Sequence, residues 1–402
     1  MQLILNEVTS KEEKNILRKV DWRVTILVGC LWCITLIDRA NLGNASIAGI
    51  TQDLKLNVEM RQSLVGLIEF PFWLIFQATL PIWYTRYEVQ KRFSIAYFIA
   101  EMSSGFSGLL AYGLMQMKGL AGLNGWRWIN IIEGTFTCCA SILAYLLLVG
   151  MPDGSSAWEW RFLSPRERRF VVARIDADRA DAAQDALSLK KCATMCLDSK
   201  LWGFAAIHYM NTTISSALIY FLPLILRGMG FSVGVAQLIN APPYLIAGLW
   251  CCATGWVSDR RRCRGAFIVL NSLLCVVGLP LLGFAEGTGV RYFGIVLACM
   301  GSKGNTPASM AYTANNIRSH SKRLASVTVL IVGVCLGGVT GALVFRQEDA
   351  PTYHPGLYTC IVASVLSIVM VGVLTLKFMR DNRRADEGKL VIEGHVDFRY
   401  TL

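Results

Sequence analysis

Apolar runs of about twenty residues, parted by polar stretches, recur along the whole chain, and each is long enough to cross a ~30 Å hydrocarbon core as a helix. The pattern predicts ten spans, over residues 24–48, 63–83, 93–115, 129–150, 201–226, 235–257, 266–285, 291–315, 324–345 and 357–378. The expected fold class is an all-α polytopic membrane protein.

The longest polar interval, 151–199, separates four predicted spans from six. It contains "LSPRERRFVVARIDADRADAAQDAL", where Ser164 before Pro165 has the pattern of an N-cap and first-turn proline. Phe170, Val171 and Ile175 fit one apolar face, so the segment predicts an amphipathic helix on the membrane surface joining two bundles. Five regions follow: a tail (1–22), an N-terminal bundle (23–150), the linker (151–199), a C-terminal bundle (200–380) and a second tail (381–402). The short apolar run of the N-terminus precedes its charges, the reverse of a secretory signal, so the first span is expected to remain in the mature protein.

Composition agrees with this picture. The chain is 54% hydrophobic and 17% charged, with mean hydropathy +0.45, against a charged fraction of about 25% in ordinary soluble domains. The net charge of +11 suggests a nucleic-acid partner until its distribution is examined. Six connecting segments, 1–23, 84–92, 151–200, 258–265, 317–323 and 377–402, hold 30 of the 39 Lys and Arg. Those segments fall on one side of the predicted topology, and basic loops orient membrane helices with that side in the cytoplasm. Both termini are therefore expected in the cytoplasm, and the charge concerns the lipid bilayer rather than a nucleic acid.

The 13 cysteines give no metal or redox framework. Cys30 and Cys33 form a CxxC inside the first span with no second pair at metal spacing. Cys138–Cys139 and Cys251–Cys252 are also within spans, where Cys behaves as a small apolar residue. No phosphate loop, nucleophile elbow or His-rich signature is present, so neither an enzyme nor a cofactor is expected.

Candidate functional residues are polar groups that the spans carry into the membrane. The apolar run Val24–Ile37 is too short to cross alone, so its helix must continue through Asp38, Arg39, Asn41 and Asn44. Intramembrane ionisable groups are binding or coupling candidates; alternatively, Asp38 and Arg39 satisfy each other or nearby helix ends. Glu133, His208 and Asn211 lie in spans expected to border a cavity, with core packing the alternative for the histidine. Lys303 lies twelve residues beyond Arg291, or about 18 Å of helix, which places it near the bilayer centre. An ammonium there must face a cavity and bind an anion, or pair with an acid such as Glu69, Glu101 or Glu133. Asn305 shares this segment, and Gly301, Gly304 and Pro307 allow its helix to bend.

Several stretches together resemble the major facilitator superfamily, and within it the fungal anion:cation symporter group that includes allantoate and nicotinate permeases. They are "DWR" (21–23), "LIDRANLGNASIAG" (36–49), "GLNGWRWINIIEG" (122–134), "YFLPLILRGMGFS" (220–232), "APPYLIAG" (241–248), "GWVSDRRRCRG" (255–265), "GVRYFGIVLACMG" (289–301), "ANNIRSHSKR" (314–323) and "FRQEDAPTYHPG" (345–356). The resemblance implies a two-bundle transporter of the plasma membrane that couples protons to uptake of a small organic anion, a vitamin-like carboxylate or ureide such as nicotinate or allantoate. It also implies a cytoplasmic gate at Asp259 with Arg260, Arg261 and Arg264. Members of the group have twelve spans. Here "LIEFPFWLIFQATLP" resembles their second helix, and "IWYTRYEVQKRF" the end of their fourth, with a seam near 79–82. The third helix, most of the fourth and its arginine motif have no counterpart. Relatives usually carry an uncharged residue where this chain has Lys303. A non-transporting sensor or partner protein, or an inactive shortened product, is the alternative function; oligomeric state is left open.

Overall fold

The computed structural model describes residues 8–47, 50, 53, 80, 83–85, 87–147, 162–179, 197–317, 320–345, 353–393, 395 and 398–402. Residues 63–79 of the second predicted span, Glu69 and most of the proposed seam lie outside them. The described chain forms α1 (Ser10–Val20), a π-helical turn (Asp21–Thr25), α2 (Ile26–Ile47), α3 (Val89–Met115), α4 (Gly125–Leu147), α5 (Pro165–Arg179), α6 (Ser199–Gly228), α7 (Val233–Arg261), α8 (Gly265–Phe284), α9 (Thr288–Asn315), α10 (His320–Leu343) and α11 (His354–Asp386). Nine of the ten predicted spans thus have a helix at their place, and the fold is all-α.

Local chemistry sets the helix ends. Thr9 and Glu12 form a capping box that starts α1. Ser164 and Glu167 do the same for α5: the Ser164 amide donates to Glu167 Oε2 (2.7 Å) and the Glu167 amide to Ser164 Oγ (3.2 Å). Asp198 caps α6, and Ser232 caps α7. Within the first tail, α1 runs through the π-helical turn into α2. Ile16 and Val20 are buried against the bundle, and that burial holds the segment helical.

Seven stretches are long and apolar enough to cross a membrane by length and composition. Two other long helices, α6 and α9, carry the polar residues of the molecule's centre. Glycines bring α8 and α9 into close contact: a Cβ on Gly278 would lie 2.6 Å from the Ala298 amide nitrogen and 2.8 Å from the Gly294 carbonyl oxygen. Small residues allow this approach where lipid gives no hydrophobic drive for helix association. Helix α3 joins the halves, packing on α2 and also on α7 and α9. Phe93 and Ala96 of α3 share one apolar core with Phe204, Tyr312 and Phe378.

All six basic segments meet at one end of the bundle. Lys19 pairs with Glu167 (2.7 Å), Arg92 with Asp21 (3.0 Å), and Arg174 with Glu13 (3.0 Å) and Glu88 (2.6 Å). Asp259 accepts from the Lys91 amide (2.7 Å), and the Arg264 amide donates to the Leu402 carbonyl (2.6 Å). Glu393 binds both Lys200 and Lys322. The C-terminal segment is therefore packed against this end rather than extending from it.

At the opposite end, Asp53 accepts from Asn124 Nδ2 (2.6 Å) and Trp126 Nε1 (2.7 Å). Tyr84, back at the basic end, bonds Thr25 (2.8 Å). The 29 positions between Asp53 and Trp83 suffice for one crossing of about 20 residues, not for three.

Candidate functional site

The centre of the molecule is a closed polar layer built mainly by α3, α6 and α9. Lys303 Nζ lies 3.1 Å from Glu101 Oε1, and both side chains are 0% exposed. The ammonium donates to Ser215 Oγ (3.1 Å) and stands 5.3 Å from the centroid of the Tyr244 ring, whose negative face favours a cation. Beside this charge pair, Glu101 meets the Tyr97 hydroxyl one turn earlier on its own helix. The pair links the two halves, because Glu101 belongs to α3 and Lys303 to α9.

Two residues further on, Asn305 Nδ2 donates to Ser272 Oγ (3.0 Å) and Asn211 Oδ1 (3.3 Å), and Ser367 donates to the same Asn211 oxygen (3.4 Å). The His208 ring lies between Ser309 and Thr313, 3.4 Å from each hydroxyl. His208, Asn211, Lys303 and Asn305 are thus brought together across α6 and α9, all buried. The Cβ position of Gly304 comes within about 3 Å of the Asn271 side chain, so glycine is what permits this layer to close.

A second polar group lies within the N-terminal half. The Asp38 carboxylate accepts from Thr137 Oγ1 at 3.0 and 3.1 Å. Glu133, one turn before Thr137 on α4, is 5% exposed, and neither of its oxygens has a hydrogen-bond partner among the described residues. Asn41 is also buried without a described partner. The side chains of Arg39 and Asn44 lie outside the described residues.

At the basic end, Asp259 accepts from Arg264 and, through its other oxygen, from the amide of Lys91 in the first turn of α3. A carboxylate at a helix N-terminus meets free N–H groups and the positive end of the helix dipole. Arg264, fully buried, also donates to Gln90, which accepts from Ser258 as well (2.8 Å). Arg260 and Arg261 are exposed; Arg260 stands over the Trp256 ring (5.6 Å). The motif thus divides into a buried Asp259–Arg264 clasp between α3 and α7 and a solvated pair of arginines.

The sequence named Glu101 only as a possible partner of Lys303 and did not identify Ser215, Tyr244 or Gln90. A carboxylate inside the predicted span 93–115 was a signal for Glu101; Ser215, Tyr244 and Gln90 carry no charge that would mark them in the same way. The described cysteines are free thiols, and no three described His, Cys, Asp or Glu residues are grouped to hold a metal. A groove between α1 and α5, lined by Ile16, Trp22 and Arg166, lies apart from the polar layer.

This arrangement of long helices around a buried polar centre defines a helical membrane transporter. The family model of the Major Facilitator Superfamily matches residues 62–342, and the chain belongs to that family. It is 26% identical to the MFS-type transporter cnsO of Penicillium expansum, covering 98% of this chain and 89% of that one. It is 24% identical to the high-affinity nicotinic acid transporter of Saccharomyces cerevisiae, covering 95% and 80%. Among solved structures, the proton:xylose symporter XylE superposes with a TM-score of 0.56 at 14% identity, over 92% of this chain and 87% of that one. The transporter FucP gives 0.52 at 11% identity, over 91% and 90%. The alignment with cnsO runs over 463 positions, 61 more than the 402 residues of this chain, so the relative carries internal residues without a counterpart here.

Proposed function

We propose that this chain is a secondary active transporter that takes up a small organic anion together with protons, the anion being a vitamin-like carboxylate or a ureide of the nicotinate or allantoate kind. The observation that carries this reading is the lysine ammonium buried at mid-bilayer depth between the two halves, among hydroxyl, amide and aromatic groups. Lys303 supplies the positive charge, and Asn211 and Asn305 supply hydrogen bonds. Asp38, Arg39, Asn41, Glu133 and His208 serve substrate contact or proton coupling. The Asp259–Arg264 clasp closes the cytoplasmic side, with Arg260 and Arg261 at its rim, while the two bundles rock about the central layer. Similarity to a nicotinic acid transporter supports the anion class.

The test is thermal stabilisation of the purified protein by a panel of small carboxylates. A carboxylate that stabilises the wild type and fails on Lys303→Met supports the reading; equal stabilisation of both refutes the lysine as the anion site. The four-plus-six organisation, with cytoplasmic termini in a plasma membrane, predicts that a tag at residue 170 is cytoplasmic and one near Lys118 external. An external tag at 170 refutes it.

A second reading is favoured by the more than 61 positions that the relative holds and this chain lacks. In it the shortened N-terminal half binds without transporting. Labelled nicotinate uptake by permease-deficient yeast decides between the two, since a chain that binds the anion and accumulates none is a sensor or partner protein.

A further inference from the structure

The pairing of Glu101 with Lys303 has a consequence for coupling. An empty site holding one ammonium and one carboxylate carries no net charge. A substrate carboxylate entering alone would leave two anions against one cation in a desolvated layer, and a proton entering alone would leave an unbalanced ammonium. Either excess charge is strongly disfavoured away from water. Entry of both restores neutrality: the proton neutralises Glu101, and the substrate carboxylate takes the vacated place beside Lys303. We propose that Glu101 is the proton carrier of the cycle and that a substrate carboxylate replaces it on Lys303, with one proton entering for each anion. This inference rests on Lys303 being the anion site.

The geometry favours such an exchange in three ways. Besides the lysine, Glu101 is met by the Tyr97 hydroxyl one turn earlier on α3, a contact within its own helix that does not tie it across the interface. Lys303 has other partners in Ser215 and the Tyr244 ring, so it stays oriented when the carboxylate leaves. The pair also spans α3 and α9, one helix from each half, so making and breaking it acts on the interface that must move. On the inner side Glu101 loses its proton to water, the ion pair re-forms, and the anion is expelled.

The titratable groups that face Glu101 are phenols, thiols and Lys303 itself. On its own helix Tyr97 lies one turn away, its hydroxyl bonded to Glu101 and 3.3 Å from Thr306. From α7 come Tyr244 and Cys251, and from α9 Cys299 and Lys303. The acids of α2 and α4, Asp38 and Glu133, face each other, Asp38 bonding Thr137. Asp21, in the π-helical turn, is held by Arg92 at the basic end.

The experiment is calorimetric titration of the full-length protein in detergent with nicotinate, benzoate and acetate, all anionic between about pH 6 and pH 8. Uptake of one proton per anion makes the wild-type Kd rise about tenfold per pH unit. Glu101→Gln is expected to bind with a Kd constant to within about twofold over the same range, because its neutral amide already imitates the protonated acid. A Glu101→Gln protein that keeps the wild-type slope overturns the inference while leaving the anion site standing. Lys303→Met binding equal to wild type, or no wild-type binding of any of the three, overturns the anion site and this inference with it. Should Glu101→Gln be unstable, acetate must raise its Tm more than it raises that of the wild type, by filling the place beside the lysine; an equal or smaller rise refutes the exchange. The double variant Glu101→Gln/Lys303→Met, which removes the pair as a unit, serves as the folded control without an anion site.

Discussion

Helices α4 and α9 have similar lengths and opposite ways of disposing of polar groups. On α4, Asn130, Thr135 and Ser141 each bond the carbonyl four residues earlier on their own helix. Its apolar side chains Phe136, Ile142, Leu143 and Tyr145 are exposed, and only 17% of its most apolar stretch is buried, against 61% for α3. On α9, by contrast, Lys303 and Asn305 bond across to α3, α6 and α8, and nearly every residue from Gly294 onward is buried. Hydroxyls satisfied on their own backbone leave a helix free of specific neighbours; cross-helix bonds fix its rotation and depth. The N-terminal half thus holds, among the described residues, a helix with few commitments, while the C-terminal half is tightly determined.

Mutations test this contrast in order of expected effect. Arg264→Met should cost about 3 kcal/mol, because it leaves the buried Asp259 and Gln90 without their cation. The loss is read from unfolding of the detergent-solubilised protein, and a change near zero would mean that the clasp contributes nothing to the closed form. Gly278→Ala should cost about 2 kcal/mol, since its methyl would meet backbone atoms of α9 that cannot yield. The matching change in α4, Gly134→Ala, has nothing within 4 Å of the new methyl and should be neutral or stabilising by about 0.5 kcal/mol. Equal losses at the two glycines would remove the distinction between the halves.

The smallest effect concerns the basic end. Burial raises the Glu88 pKa, but the Arg174 hydrogen bonds and the Arg92 and Arg174 charges outweigh it and hold the carboxyl below its ordinary 4.5. A depressed folded value contributes stability that is complete above 4.5 and is lost as pH falls through the folded value. Glu88→Gln should therefore be about 0.5–1 kcal/mol less stable than wild type at neutral pH, after allowance for the partial exposure of the pair. That difference should vanish on acidification below the folded value. A constant difference down to pH 3 would mean that packing, not ionisation, explains it.

Much of this architecture was legible in the chain. Nine helices stand where twenty-residue apolar runs predicted them, and the six basic segments assigned to one side do share one end. The candidate site was legible in part. Lys303, Asn305, His208 and Asn211 announced themselves as polar residues inside spans, and the structure joins them into one layer. The buried clasp was only half visible, since its motif did not separate Arg264 from the exposed Arg260 and Arg261 or indicate Gln90, 174 positions from Arg264.

The sequence by itself determined the place and length of the described spans, because crossing a bilayer is a local balance between side chains and lipid along one stretch of helix. The first tail shows where that balance ends: α1 is helical because Ile16 and Val20 find an apolar surface that belongs to other parts of the chain. Only the tertiary structure decided that Glu101, rather than Glu133, is the partner of Lys303, and that Asp259 closes on the first turn of α3. Those choices depend on the rotation and depth at which helices distant in sequence meet, which close-packed glycines and buried charges fix and which no single helix records.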